Sequence, residues 1–140
     1  MIVKGHDFPN VTLVGVLAAD MSLYSDDFRS AERTFELLTQ AAGRAGRGAK
    51  KGEVVIQTYS PEHYSIQTAA RQDYQAFYTE EMNYRELMGY PPAEHLMAVL
   101  VACEDEALLE KGMHYLKLYA MRITKNRKVQ VIGPAAPAVG

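Results

Sequence analysis

Cysteine is almost absent: Cys103 is the only one in 140 residues. A lone cysteine forms no internal disulfide and excludes a multi-cysteine zinc site within the chain. It reads instead as a small buried apolar residue at the end of a strand, and it fits a reducing cytoplasm. An excess of charge is also missing. Fifteen Lys and Arg against seventeen Asp and Glu leave a formal net charge of −2, so the global basic signature of many nucleic-acid-binding proteins is not there. Any contact with DNA or a nucleotide must come from a local patch. No apolar run approaches the ~18 residues of a membrane span, and no charged-then-apolar signal segment opens the chain. The expectation is a cytoplasmic protein with no membrane contact.

What is present is an alternation of strand and helix signals. Val11-Thr12-Leu13-Val14-Gly15-Val16-Leu17 is a short β-branched run, read as a strand buried on both faces as in a parallel sheet. Ser25, Asp26 and Asp27 offer helix N-caps. Phe28, Ala31, Phe35, Leu38 and Ala42 then recur at spacings of three and four, one face of a helix that Gly43 stops. Residues 53–59, Glu-Val-Val-Ile-Gln-Thr-Tyr, predict the next strand. Strand, helix, strand with short connections indicates an α/β layer.

From residue 62 the composition changes. Residues 63–88 lack Gly and Pro and predict a short helix to about Ala70 and a longer one from about Gln72 to Met88, with Gly89 as a left-handed cap before Pro91-Pro92. Strands are predicted at 95–103 and 129–132, flanking a helix that starts at Asp105 and turns Leu109, Met113, Leu116, Ala120 and Ile123 to one side. The predicted organisation is therefore an α/β piece at 1–61, a helical connector at 62–92, and an incomplete α+β unit at 93–140.

The strongest chemical signal is Gln40-Ala41-Ala42-Gly43-Arg44-Ala45-Gly46-Arg47-Gly48. Arginine presents planar, permanently charged donors that match phosphate oxygens in pairs. Glycines at 43, 46 and 48 let the backbone bend so that both guanidinium groups can face one anion. A helix C-terminus is electrostatically a poor anion site, so Arg44 and Arg47 must supply the attraction themselves. A second, weaker basic patch is Lys125, Arg127 and Lys128 at the end of the last helix, open to DNA backbone contact or to plain solvation. The tyrosines at 64, 74, 78, 84 and 90 are open to stacking on bases or to packing between helices.

The Gln-x-x-Gly-Arg-x-Gly-Arg segment resembles motif VI of superfamily 2 helicases. Lys4-Gly5-His6-Asp7-Phe8-Pro9-Asn10-Val11 resembles motif V of the primosomal protein N′ family of replication-restart DNA helicases. Phe28-Arg29-x-Ala31-Glu32-Arg33-Thr34-Phe35, Leu37-Leu38-Thr39-Gln40, Gln57-Thr58-Tyr59, Gly89-Tyr90-Pro91-Pro92 and Gly133-Pro134-Ala135 are similar to the same family, in order and across essentially the whole chain.

That resemblance implies a C-terminal fragment: part of the second RecA-like lobe with its parallel sheet, then the start of a C-terminal domain similar to ribosomal protein S10 (β-α-β). It implies an ATP-dependent 3′-to-5′ helicase in which Arg44 and Arg47 are arginine fingers and Gln40 faces the nucleotide cleft. Gly5, His6 and Asp7 would couple nucleotide state to DNA grip, with Gly43 shaping the turn. Asp20 would bind ribose or orient an arginine, or else cap a turn; the family's Asp-Ala-Asp is here Ala18-Ala19-Asp20. ATP and magnesium belong to the full-length protein, as does zinc, and this chain is expected to hold no metal. It contains no Gly-x-x-x-x-Gly-Lys-Ser/Thr loop and no Asp-Glu-x-His stretch, so it is expected not to hydrolyse ATP alone. The implied partners are branched and single-stranded DNA, single-stranded DNA-binding protein, and other primosome proteins including the loading machinery of the replicative helicase, in a bacterial, nucleoid-associated setting. The alternative is a non-catalytic module that binds DNA or protein.

Overall fold

The computed structural model describes residues 11–45 and 52–136. Two compact units follow one another, the first ending at Leu96 and the second starting at Met97. The first holds strand β1 (Leu13–Val16), a 3₁₀ turn (Ala19–Ser22), helix α1 (Ser30–Ala42), strand β2 (Glu53–Ile56), and helices α2 (Tyr64–Arg71) and α3 (Tyr74–Met88). The described chain is thus α/β, with a two-stranded parallel sheet and four helices counting the one of the second unit.

β1 and β2 pair in parallel with Leu13 opposite Glu53 and Val16 opposite Ile56. The strands are not buried on both faces as their apolar run predicts. Val14, Val16, Val54 and Ile56 are half-buried, whereas Leu13 and Val55 stay more than half exposed. The reason is that the helices of this unit cover one face only. Val16 and Ile56 lean on a core made of Ala19, Phe35, Leu38, Ile66, Ala69 and Phe77. Phe35 stacks on Phe77 with ring centroids 4.2 Å apart. Burying each large side chain of this set stabilises by about 1.5–3 kcal/mol, so the stability of the unit rests mainly on the packing of α1, α2 and α3.

Local chemistry explains the helix limits. Ala31, Thr34, Phe35, Leu38 and Ala41 form the buried stripe of α1. Gly43 ends the helix with φ −65°, its N–H donating to the Thr39 carbonyl at 3.0 Å, so it stops α1 without the left-handed conformation. His63 caps α2, accepting from the Ser65 N–H; Asp73 caps α3, accepting from the Ala76 N–H at 2.9 Å. Gly89 closes α3 at φ 67°, and the Tyr90 N–H returns to the Arg85 carbonyl at 2.8 Å.

The second unit contains α4 (Glu106–Thr124), capped by Asp105 through the Leu108 N–H at 3.0 Å. Leu109, Met113 and Ala120 are half-buried and no residue of α4 is fully buried. Residues 96–104 and 129–136 form no strand among the described residues, contrary to the prediction, and Cys103 is exposed rather than buried at a strand end. An apolar β-branched run becomes a strand only when a neighbour supplies the ladder, and no described segment does so here. Among the described residues no helix is long and apolar enough to cross a membrane.

Candidate functional site at the amino edge of the sheet

The register fixes where the two motif-bearing segments lead. The Glu53 N–H donates to the Thr12 carbonyl at 2.7 Å. The chain therefore enters β1 and β2 side by side at one sheet edge. Gly5, His6, Asp7 and Arg47 lie outside the described residues. α1 starts beyond the carboxyl end of β1 and ends before the amino end of β2, and its 13 residues span about 20 Å at ~1.5 Å each. Its last turn carries Gln40, and Gly43 and Arg44 follow directly after it. Gln40 is exposed and Arg44 half-buried. The Arg44 N–H donates to Ala41 and the Ala45 N–H to Ala42, at 3.1 and 3.2 Å, so the final carbonyls of α1 are partly satisfied by a tightening turn. A cation in this position also complements the negative end of the helix.

Asp20 lies at the opposite edge. It follows the carboxyl end of β1 and is only 2% exposed. Its carboxylate accepts from the Thr58 hydroxyl, from the Tyr59 N–H at 2.7 Å and from the Ser60 N–H at 3.3 Å. The Thr58 hydroxyl, and after it the Tyr59 N–H, hold the Asp20 carboxyl below the usual carboxylate range. Ala19 donates to the Gln57 carbonyl at 3.0 Å, which continues the tie between the two strand ends. Beside it, Ala18 adopts φ 50° and ψ 56°, a left-handed conformation that costs a non-glycine residue roughly 1–2 kcal/mol. Nothing in the residue type Ala18 signals that conformation.

A buried polar cluster that the sequence reading did not single out joins α1, α2 and α3. Arg85 donates through Nε to Glu81 at 2.7 Å, through Nη2 to Glu32 at 2.7 Å and through Nη1 to the Pro91 carbonyl at 2.8 Å. Its guanidinium also sits over the Phe28 ring, 5.4 Å from the centroid. Burial opposes the charge of Arg85, but the bonds and charges of Glu32 and Glu81 more than offset it and raise its pKa. The Tyr64 hydroxyl donates to the other Glu81 oxygen at 2.6 Å; burial first, and then Glu81, push its pKa upward. The i, i+4 spacing of Glu81 and Arg85 is the one signal that could have pointed to this cluster.

The tyrosines divide. Tyr64 packs against Phe77 and Tyr90 stacks on Phe28, whereas Tyr74 and Tyr78 leave large exposed surfaces on α3. Lys125, Arg127 and Lys128 are exposed after α4, in the second unit. Among the described residues no three His, Cys, Asp or Glu side chains could hold a metal ion.

By fold, the described chain is an α/β protein whose arginine-bearing helix end and strand starts share one edge. Comparison with known proteins specifies it further. The chain is 51% identical over 143 residues to the replication restart protein PriA of Bacillus subtilis, with 99% of this chain and 17% of that protein covered. It is 40% identical to the PriA of Synechocystis, again over 99% of this chain and 17% of the relative. Against the PriA of Chlamydia trachomatis it is 46% identical over 79% of this chain and 15% of the relative. The chain belongs to the replication restart protein PriA family, as a segment spanning about a sixth of those relatives' length. No family model matches it.

Proposed function

We propose that this chain is the part of a replication-restart DNA helicase that carries motifs V and VI of the second RecA-like lobe, followed by the start of an S10-like C-terminal domain. The observation that supports the reading is the parallel pairing of β1 and β2, with the Glu53 N–H on the Thr12 carbonyl, which would let the motif V and motif VI segments act from one end of the sheet. A nucleotide held by a first lobe would meet that edge. Arg44 and Arg47 would reach its terminal phosphate and stabilise the charge that develops as the phosphoryl group leaves. A finger of this kind contributes roughly 10³–10⁵ in rate in related phosphoryl-transfer systems. Gln40 would orient the attacking water or sense the phosphate. Gly5, His6 and Asp7 would pass nucleotide state to the DNA path.

The residues present fit an ATP γ-phosphate through their guanidinium chemistry, whereas magnesium and zinc have no candidate ligand cluster among the described residues. When bound, ATP with its magnesium supplies the phosphoryl group and neutralises part of its charge. In the whole protein the partners would be forked and single-stranded DNA, single-stranded DNA-binding protein and the machinery that loads the replicative helicase.

The test is DNA-stimulated ATPase of the full-length protein with Arg47→Ala and Arg44→Ala. A fall in kcat of at least about 100-fold in either variant, with DNA affinity unchanged, is expected. Unchanged turnover in both would refute the assignment.

A further inference from the structure

A cleft of about 500 Å³ opens where the 23–31 segment faces α2 and the end of α3. It lies outside the edge described above and has no part in the function proposed there. Its volume is within the range of small-ligand sites. Its walls are aromatic and acidic: Phe28, His63, Tyr64, Tyr84 and Tyr90, with Asp26 and Asp27 at the rim.

Among the described residues, no Lys or Arg lines the cleft. Asp27 is already neutralised, by Arg29 at 3.2 Å and Arg33 at 2.8 Å. Asp26 is exposed and makes no ion pair among the described residues. Asp26 therefore brings a carboxylate without an ion pair to a space lined by aromatic residues. His63 stacks on Tyr64 with centroids 4.6 Å apart, and Tyr84 tilts against Tyr90 at 6.2 Å. Phe28 is spoken for, since Arg29 and Arg85 each place a guanidinium 5.4 Å from its centroid. The same wall thus already shows a guanidinium held against a ring face.

We propose that this cleft receives the guanidinium of an arginine side chain presented by a protein partner, with Asp26 as counter-charge and Tyr84, Tyr90 and the His63–Tyr64 stack as its planar walls. A planar cation that is weakly hydrated gains both from the ring faces and from the carboxylate. An anion would meet the Asp26 carboxylate, while the neighbouring bases Arg29 and Arg33 are engaged by Asp27. A compact ammonium would keep more of its water and make less use of flat walls.

The experiment is an NMR titration of the 140-residue chain with N-acetyl-arginine amide, and in parallel with the lysine and the neutral citrulline analogues and with AMP. Saturable shifts at Asp26, Tyr84 and Tyr90 are expected with the arginine probe, at least about fivefold tighter than with lysine or citrulline. Asp26→Asn, at an exposed position that does not threaten the fold, should weaken arginine binding at least about fivefold, and Tyr84→Leu should do the same. Equal binding of citrulline, equal binding of lysine, tighter binding of AMP, no saturable shift, or an unchanged affinity in Asp26→Asn would each overturn the proposal.

Discussion

Arg85 and Glu32 stand 53 positions apart in the sequence and meet at 2.7 Å, tying the third helix of the first unit to its first. Arg85 also grips Glu81 on its own helix and the Pro91 carbonyl just past it. Three acceptors on three segments converge on the guanidinium of Arg85, a residue that is 7% exposed.

Removing that guanidinium should therefore cost far more than an ordinary ion pair. Arg85→Met leaves Glu81 buried without its cation, a situation worth about 3–5 kcal/mol. The double variant Arg85→Met, Glu81→Met should recover at least about half of the loss, because no buried charge remains. Urea unfolding of the wild type, both single variants and the double variant checks this. Additive losses would mean that the two groups do not act as a unit.

Ala18 offers the opposite sign. Glycine adopts its left-handed backbone without the Cβ penalty. Ala18→Gly should raise stability by up to about 1 kcal/mol, read as a higher Tm in calorimetry. A lower Tm would show that the alanine methyl, not the backbone, dominates at this turn.

Two groups set separate pH windows. The Asp20 carboxyl is held below the ordinary carboxylate range, so its contribution is present above that range and is lost as pH falls through its lower folded pKa. His63 is held below 6.5, chiefly by burial, so its unfolded form takes up protons first; stability falls as pH drops from 6.5 toward the folded value. Asp20→Asn should flatten the acid limb of a stability–pH curve below about 4, and His63→Gln the limb just below about 6.5. A curve unchanged in both variants would contradict these assignments.

The ladder itself is testable at Glu53. Glu53→Pro deletes the N–H that reaches the Thr12 carbonyl and should destabilise by on the order of 1–3 kcal/mol. Far-UV dichroism should keep its helical signal, since α1, α2 and α3 pack through side chains rather than through that bond. Loss of the helical signal at the same rate as the strand signal would show that sheet and helices form together.

Much of the helical structure was legible because its signals are local. The Gly- and Pro-free stretch before Met88, the Gly89 cap and the Asp105 cap are read from neighbours in sequence and stand where expected. The parallel strand pair followed from strand–helix–strand order. What was not legible depends on partners far along the chain. Val11–Leu17 reads as doubly buried because its composition cannot say how many faces are covered. Residues 95–103 and 129–132 read as strands because composition cannot supply a ladder. Glu32 reads as a surface acid until Arg85 arrives from another helix. At the candidate site, Gln40 and Arg44 were singled out by motif spacing alone, and Asp20 without any sign that its carboxylate is filled by Thr58, Tyr59 and Ser60.

Among the described residues, β1 and β2 pair only with each other, and one of their two faces is bare. That inverts the usual order of amide protection in an α/β layer, where central strands are the last to exchange with solvent. Here the slowest amides should belong to α1 and α2 around Leu38 and Ala69, with the strands opening first. The strand pair is then the part of this unit that samples open states most often, and its protection factors would rise most when another body is laid against the sheet.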